Sequence, residues 1–267
     1  MLPNFIIIGA ARCATSYLSK NIMQHPDVFL HPKKELHFFD RHYHKGINYY
    51  EDFFKNVQKI AIGEATPAYL YFSHIPPLIR KHIPNVKLIA SLRNPTDRAY
   101  SHYWNIVARK RMHNEYFNYT FENQIHSYDR LIKEGFYYDM LYRYFDIFPK
   151  ENIMILFYEE LIKESQKHYK RIFKFLGVDY NFVPSNSIYR INASSTKNAQ
   201  SKILYILYLF FTKKIKSYKF ANVIQNFNKS TIPEMNQNTR ERLNIIFSDQ
   251  IEKLEKFLDK DLSFWRR

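Results

Sequence analysis

A short apolar run near the N-terminus leads through a tight loop directly into a helical pattern, and this feature constrains the fold most. Phe5–Ile8 has the composition of a buried strand, Gly9–Ala14 follows as a loop, and a helix is predicted from about Thr15 to Gln24. A β-branched run followed by a loop and a helix is the first half of a βαβ unit. The sequence therefore predicts an α/β protein.

Later segments extend this pattern. Lys87–Leu92 is nearly continuously apolar, as in a strand covered on both faces of a parallel sheet. Further strands are predicted at Ile153–Tyr158 and, shorter, at Lys59–Ile62. The predicted helices run from just after Pro95 through Trp104, over Asp139–Phe148, over Ser165–Leu176 with Gly177 as its end, and over Arg240–Leu258. Alternating strands and helices predict one α/β domain over residues 1–267, with a mostly parallel central sheet flanked by helices.

The charge of the chain favours anionic partners. Lys and Arg number 40 against 25 Asp and Glu, for a net charge of +15, and a single cysteine excludes a disulfide scaffold. Between Tyr180 and Pro233 there is no acidic residue, and the basic residues are Arg190, Lys197, Lys202, Lys213, Lys214, Lys216, Lys219 and Lys229. This segment could face an anionic acceptor or, through residues 202–220, a membrane surface. The alternative is a helix pair with a solvated basic face.

The first candidate site is the loop from Gly9 to Ser16. A strand that feeds a tight turn into a helix directs backbone N–H groups and the positive end of the helix dipole at one place, which suits a phosphate. Against the Walker pattern G-x-x-x-x-G-K-[ST], Ala14 replaces the second glycine and Thr15 replaces the lysine, while Arg12 places a cation inside the loop. A P-loop kinase or nucleotide hydrolase therefore fits poorly but stays an alternative. A second alternative is that this loop is an ordinary βα turn with no ligand.

The second candidate site begins at Arg93, directly after the predicted strand Lys87–Leu92. The carboxyl ends of strands are where open α/β sheets bind ligands. Ser101 follows about two helical turns later, and a guanidinium with a hydroxyl is a good receptor for a second phosphate. The alternative is that Arg93 is a salt-bridged structural residue.

The third candidate site is the segment Lys33–Asp40. Glu35, a carboxylate between cations and an aromatic pair, could act as a general base. The alternative is a charged surface turn followed by two core phenylalanines. His37, His42, His44 and Asp40 show no recognisable ligand spacing, so we expect no metal site.

These pieces belong to an ordered set of motifs that runs from residue 5 to residue 265. The stretches are FIIIGAARCATSYL, QHPDVFLHPKKELHFFD, IGEATPAYL, KLIASLRNPTDRAYSHYW, GFYYDMLYRYFDIFP, ILFYEELIKE, IFKFLGV and LDKDLSFW. In this order they resemble the sulfotransferases that use 3′-phosphoadenosine 5′-phosphosulfate (PAPS), especially the bacterial and heparan-sulfate-type branch. No single motif is decisive, but the ordered set is highly specific.

The resemblance implies a donor site. It maps the 5′-phosphosulfate onto the loop residues Arg12, Cys13, Ala14, Thr15 and Ser16. It maps the 3′-phosphate onto Arg93 and Ser101, with Lys197 in a late basic loop that closes over it, and adenine onto Tyr158. PAPS is then the donor co-substrate, with no metal required.

The resemblance also implies catalytic roles. Glu35 would accept the proton of an acceptor hydroxyl or amine as that group attacks sulfur in line, and Arg12 would stabilise charge on the leaving group. His37 would orient the acceptor or share the proton. The implied acceptor is a saccharide or glycolipid.

Three positions depart from the family pattern. Arg12 stands where a lysine is usual in the loop, although some relatives carry Arg there. Ala14 stands where a glycine is usual, so the loop must adopt a conformation that a Cβ permits. Ala65 stands where heparan-type members have a lysine, which bears on the acceptor site and not on the donor site.

Two further expectations concern nucleic-acid binding and the cellular location of the protein. A nucleic-acid-binding module is suggested by the charge and by the 18% aromatic content, but no DNA- or RNA-binding motif is present, so we expect no nucleic-acid partner. No signal peptide or membrane-spanning segment is evident, and we expect a cytoplasmic protein, with peripheral membrane contact through residues 202–220 as the alternative.

Overall fold

The computed structural model of this chain describes residues 1–112, 120–185, 198–199, 210, 229–230 and 232–266. The chain divides into two compact units. The first comprises Met1–Pro95, Phe136–Arg190 and Phe247–Arg267, and the second comprises Thr96–Gly135 and Ile191–Ile246.

The first unit is built on a five-stranded parallel sheet. Its strands are β1 (Phe5–Gly9), β2 (Val28–Leu30), β3 (Ala61–Ala65), β4 (Lys87–Leu92) and β5 (Ile153–Phe157). Their spatial order is β2-β3-β1-β4-β5, and every neighbouring pair is parallel. The predicted α/β class with a parallel central sheet is therefore confirmed. Since the strand order reverses at β1, the crevice beyond the carboxyl ends of β1 and β4 is the expected ligand site of such a sheet.

The centre of the sheet is fully buried, which explains why its strands lack polar alternation. All five residues of β1 are buried, and so are the last five of β4. Phe5 lies beside Gly63 of β3, where a Cβ would come within 2.5 Å of the Phe5 ring. A glycine at this position lets the aromatic side chain fill the sheet surface.

The helices account for most of the remaining described residues. They are α1 (Thr15–Ile22), α2 (Ile47–Glu51), α3 (Ile75–His82), α4 (Pro95–Met112), α5 (Phe121–Ser127), α6 (Arg130–Lys133), α7 (Tyr137–Phe145), α8 (Tyr158–Lys163), α9 (Ser165–Leu176) and α10 (Gln237–Leu258). Gly177 ends α9 with φ of 82°, and its N–H donates to the carbonyl of Phe173 at 3.0 Å, as predicted for a glycine cap.

The ends of β1, α1, β5, α7 and α10 lie up to three residues from the predicted ones. Three other differences are larger. Strand β2 was not predicted, because it is a three-residue edge strand between Pro26 and Pro32. Strand β3 begins and ends later than Lys59–Ile62, since Gly63 and Glu64 interrupt the apolar pattern that marks a strand. Helix α4 continues beyond Trp104 to Met112.

The second unit contains a buried ion cluster. Arg98 of α4 is completely buried and donates from Nη1 to Oε2 of Glu134 at 3.1 Å, and Nδ1 of His102 lies 3.1 Å from the same oxygen. Burial acts to raise the pKa of Glu134, but the hydrogen bond from His102 and the charges of Arg98 and Arg130 outweigh it and hold that pKa at about 2. A short antiparallel pair, β6 (Asn198–Ala199) with β7 (Lys229–Ser230), belongs to the same unit.

None of the helices in the described parts of the chain has both the length and the apolar character needed to cross a bilayer.

Candidate active site

The loop between β1 and α1 has the backbone form of an anion-binding turn. Arg12 and Ala14 have φ of 71° and 62°, so two left-handed residues alternate with right-handed or extended neighbours just before the start of α1. Such a succession of backbone N–H groups forms a concavity that accepts anionic oxygens. Ala14 therefore takes the conformation usual for glycine, at a steric cost of about 1–2 kcal/mol.

Ser91 of β4 ties this loop to the neighbouring strand. Its carbonyl accepts a hydrogen bond from the N–H of Ala10 at 2.8 Å, and its hydroxyl donates to the carbonyl of Cys13 at 2.7 Å. Cys13 is itself buried, with Sγ 3.5 Å from the hydroxyl of Tyr137. Because Ser91 lies two residues before Arg93, the two predicted anion-binding segments are adjacent in the first unit.

Arg93 stands at the carboxyl end of β4 beside Tyr158, the first residue of α8 after β5. The guanidinium carbon lies 4.9 Å from the centre of the Tyr158 ring. The Nε atom of Arg93 is buried and has no hydrogen-bond partner among the residues that the structure describes. The sequence predicted both residues separately, and the pairing of strands β4 and β5 brings them together.

The segment after Arg93 is held by two residues that sequence reasoning did not assign. The N–H of Asn94 donates to Oε1 of Glu159 at 3.0 Å, and its side-chain amide donates to the carbonyl of Trp265 at 2.8 Å. The indole N–H of Trp265, a fully buried residue, donates to Oε2 of Glu159 at 3.1 Å. The available signal was that Glu159 and Trp265 lie in the motifs ILFYEELIKE and LDKDLSFW.

Glu35 and His37 form one chain of ion pairs with Asp40. The Nε2 atom of His37 lies 3.3 Å from Oε2 of Glu35, and its Nδ1 atom lies 2.8 Å from Oδ2 of Asp40. Asp40 is almost fully buried, whereas about a third of the Glu35 side chain is exposed. One imidazole thus lies between a buried carboxylate and an accessible one.

This arrangement shifts the pKa values of His37 and Glu35 in opposite directions. The hydrogen bond to Asp40, and then that to Glu35, raise the pKa of His37 to about 9. The hydrogen bond from His37 lowers the pKa of Glu35; burial opposes that shift, and the charge of Lys34 assists it. Near neutral pH the pair is therefore an imidazolium and a carboxylate, so His37 has no free lone pair and Glu35 is the group able to accept a proton.

Lys34 links the Glu35 segment to the first loop. Its Nζ donates to the hydroxyl of Ser16 at 2.7 Å and lies 3.5 Å from Oε1 of Glu35. Sequence reasoning had not singled out Lys34, because nothing local distinguishes it from the adjacent Lys33. The contact joins two of the three predicted candidate sites.

The remaining predicted residues are placed as follows. Thr15, the first residue of α1, is buried, and its carbonyl accepts a hydrogen bond from Ser19 at 2.8 Å. Ser101 is buried on α4, in the second unit. Lys197 lies outside the described residues, as does the segment 202–220 apart from residue 210. Within the described residues, no three His, Cys, Asp or Glu side chains form a group that could hold a metal ion.

Comparison with protein families identifies the class to which this chain belongs. A model of the sulfotransferase domain matches residues 2–263, which is nearly the whole chain. The chain therefore belongs to the PAPS-dependent sulfotransferase family, as the ordered motifs predicted. This membership argues against the P-loop kinase and nucleic-acid-binding alternatives.

Individual relatives agree with this assignment. Heparan sulfate glucosamine 3-O-sulfotransferase 5 of Mus musculus is 31% identical over 208 residues, which are 73% of this chain and 58% of that protein. Membrane-associated sulfotransferase kil1 of Dictyostelium discoideum is 36% identical over 130 residues, which are 47% of this chain and 28% of that protein. The chain thus spans less than two thirds of the length of these relatives.

A solved structure matches over the full length. The crystal structure of a sulfotransferase from Alicyclobacillus acidocaldarius has a TM-score of 0.76 and 26% sequence identity to this chain, and the match covers 100% of both chains. The fold described above is therefore that of a solved sulfotransferase.

Proposed function

We propose that this chain transfers the sulfuryl group of PAPS to a hydroxyl or amine of a carbohydrate or glycolipid acceptor. The observation that carries the proposal is Arg93. It is a guanidinium with a buried Nε and no hydrogen-bond or ion-pair partner among the described residues, at the switch point of the sheet and one strand away from a phosphate-type loop. A buried donor without a partner is costly, and an anionic ligand bound to this half-buried guanidinium would remove that cost.

The donor-side residues suit a nucleotide with two separate anionic groups. When bound, PAPS supplies the sulfuryl group, and adenosine 3′,5′-bisphosphate (PAP) is what remains. The loop from Arg12 to Ser16 would hold the 5′ end, because its left-handed residues and the start of α1 favour anionic oxygens. Arg93 would hold the 3′-phosphate, and Tyr158 would contact adenine. The roles of Ser101 and Lys197 stay predictions from the family resemblance.

The base-side residues suit removal of a proton from an acceptor. Glu35 is accessible, ionised near neutral pH and held at one oxygen by His37. It would take the proton of the attacking hydroxyl, while His37 keeps the carboxylate in place instead of acting as the base. Arg12 and the N–H groups of its loop would stabilise the negative charge that grows on the leaving oxygen, an effect worth about 3–4 kcal/mol for one well-placed donor.

The acceptor is proposed by class only. The mouse relative is named for a glucosamine in heparan sulfate, which supports a saccharide acceptor for this chain. Ala65 in place of the heparan-type lysine argues for an acceptor other than heparan sulfate. Contact of residues 202–220 with a membrane and a cytoplasmic location stay predictions.

A thermal-shift comparison with three ligands tests the donor assignment. We expect PAP to raise the melting temperature strongly, and ATP with magnesium or an oligonucleotide to raise it little. ATP has no 3′-phosphate, and the phosphates of an oligonucleotide are diesters shared with neighbouring nucleosides, whereas PAP carries two free phosphates on one adenosine. A larger shift with ATP and magnesium would contradict the proposal. Incubation with radiolabelled PAPS and fractionated cell extract would then identify the acceptor fraction.

A further inference from the structure

A fully buried carboxylate lies behind the Glu35 segment and has no role in the mechanism above. Glu64 of β3 is 1% exposed, and its two oxygens accept three hydrogen bonds. Oε1 accepts from the hydroxyls of Tyr50 and Tyr69, each at 2.9 Å, and Oε2 accepts from the hydroxyl of Thr66 at 2.6 Å. Both carboxylate oxygens of Glu64 therefore accept hydrogen bonds from other side chains of the protein.

Two of these three donors continue to the backbone of the Glu35 segment. The hydroxyl oxygen of Tyr69 accepts from the N–H groups of Phe38 at 2.8 Å and Phe39 at 3.3 Å. The hydroxyl oxygen of Thr66 accepts from the N–H of His37 at 3.4 Å. The N–H groups of three consecutive residues, 37 to 39, therefore donate to hydroxyls that are themselves hydrogen-bonded to Glu64.

Glu64 sets the direction of these hydrogen bonds. A phenol has one O–H to donate, and Tyr69 donates it in a hydrogen bond to the carboxylate of Glu64. The lone pairs of that hydroxyl are then the part that faces the N–H groups of Phe38 and Phe39. Tyr69 is 0% exposed, so water cannot substitute for either partner.

The backbone held in this way is a strained one. Glu35 and His37 have φ of 60° and 53°, in the left-handed region that non-glycine residues seldom adopt. Such residues persist only where the surrounding structure holds them. With the backbone in this form, the Nε2 atom of His37 lies 3.3 Å from Oε2 of Glu35.

We propose that Tyr69, oriented by Glu64, is a positioning residue that holds the backbone of residues 37–39 so that His37 pairs with Glu35. The inference rests on the proposed function for the catalytic role of Glu35. The geometric part, that Tyr69 sets the environment of His37, can be measured without turnover.

Tyr50 provides the matched control. It donates to the same oxygen of Glu64 at the same distance, it is 0% exposed, and its hydroxyl has no hydrogen bond to the backbone of residues 37–39. Tyr50→Phe and Tyr69→Phe each remove one hydroxyl from the same carboxylate. They differ in that Tyr69→Phe also removes the acceptor of Phe38 and Phe39.

The experiment measures the pKa of His37 by NMR in the full chain with labelled histidine, for the wild type and both variants. We expect the wild-type pKa of about 9 to fall by at least about one unit in Tyr69→Phe, because His37 loses its alignment with Glu35 and Asp40. We expect Tyr50→Phe to keep the wild-type value. Transfer from radiolabelled PAPS should fall about 10-fold in Tyr69→Phe, with PAP affinity unchanged. Equal effects of the two variants on His37, or no effect of either, would overturn the inference.

A second pair of variants answers the same question if Tyr69→Phe does not fold. Thr66→Val removes the acceptor of the His37 N–H, and Thr66→Ser keeps it. We expect the His37 pKa to fall in the first and to be restored in the second; the same value in both would overturn the role of this network. If Glu35→Gln retains full transfer, the catalytic role of Glu35 fails while the NMR comparison still decides the positioning role.

Discussion

Arg93 and Arg98 are five residues apart, but only Arg98 has a carboxylate partner among the described residues. Arg98 is completely buried and paired with Glu134, and a second guanidinium from Arg130 reaches the same carboxylate. Arg93 is half-buried, lies against the ring of Tyr158, and has no carboxylate partner among the described residues. A cation that is neutralised inside the protein supports the fold, whereas a cation that is left unmatched at the end of a strand is available to a ligand.

The carboxylates Glu134 and Glu35 differ in the same way. Glu134 is buried, its carboxylate contacts the guanidinium groups of two arginines and the imidazole of His102, and its pKa is about 2. Glu35 is partly exposed, and its nearest partner is His37, itself a titratable group. The comparison indicates that the Glu134 cluster is structural and that the Glu35 cluster is the one able to exchange protons.

The largest effect is expected for Glu35→Gln. The amide cannot accept a proton at physiological pH, so we expect transfer to fall by about 10²–10⁴-fold. The melting temperature and the affinity for PAP should stay close to the wild type, and radiolabelled transfer measures the loss. Glu164→Gln, which changes an exposed carboxylate paired with Lys167, is the control and should keep full activity. Unchanged turnover in Glu35→Gln would remove the base assignment.

For Arg98→Met we expect a loss of stability. Removing Arg98 takes one cation from the buried carboxylate of Glu134 and leaves it with Arg130 and His102. We therefore expect a loss of about 3 kcal/mol in the free energy of unfolding, at the lower end for a broken buried ion pair. Denaturant unfolding measures it. Lys167→Met, which breaks an exposed pair, should cost less than about 1 kcal/mol. Similar losses in the two variants would contradict the structural role of the Glu134 cluster.

Arg93→Ala should act on ligand binding more than on stability. Hydrogen bonds to a charged group contribute about 1.5–3 kcal/mol, so we expect affinity for PAP to fall about 10- to 100-fold. Affinity for adenosine 5′-monophosphate, which lacks the 3′-phosphate, should stay unchanged. Calorimetric titration with both nucleotides measures the difference. An equal loss for both would exclude Arg93 from the 3′-phosphate site.

The pH dependence of stability should separate the two clusters. His37 has a pKa of about 9 in the folded protein, above its ordinary value of 6.5, so its stabilising contribution is complete below about pH 6.5 and is lost as the pH rises through 9. Glu134 has a pKa of about 2, below its ordinary value of 4.5, so its contribution is present above pH 4.5 and is lost as the pH falls towards 2. We expect His37→Gln to flatten the alkaline decrease in melting temperature and to keep the acid decrease that Glu134 causes, while the acid-side contribution from the lowered pKa of Glu35 is lost. An unaltered alkaline decrease would contradict the ion pairs assigned to His37.

The smallest effect is expected for Lys34→Ala. The ammonium of Lys34 helps to keep the pKa of Glu35 low, so its loss should move the acid limb of the pH–rate profile to higher pH. Because an exposed charge contributes less than about 1 kcal/mol, we expect turnover to fall only about 2- to 5-fold. Lys33→Ala is the control, since the ammonium of Lys33 lies over the ring of Phe53 at 5.5 Å. Identical profiles for the two variants would exclude a specific role for Lys34.

Local sequence patterns predicted the framework of the site well. Strand β4 has the predicted boundaries, and α9 ends at Gly177 as predicted. Arg93 stands directly after its strand. These features depend on runs of neighbouring residues, whose conformational preferences act without help from the rest of the chain.

Contacts between distant segments could not be predicted in the same way. Lys34 reaches Ser16, and Glu64 reaches Tyr50, across separations that no periodicity reveals. Strand β3 was misplaced for the same reason, because Glu64 is tolerated in a buried strand only when three hydroxyls from elsewhere bond to it.

The sequence by itself determined the α/β class, the family and the residue types available for chemistry, because each of these is written in short stretches of neighbouring residues. The tertiary structure alone decided which charges are matched. It neutralised Arg98 with Glu134, left Arg93 without a carboxylate partner among the described residues, and placed His37 between Glu35 and Asp40. The physical reason is that the energy of a charge depends on its burial and its nearest counter-charge, and both exist only once the chain has folded.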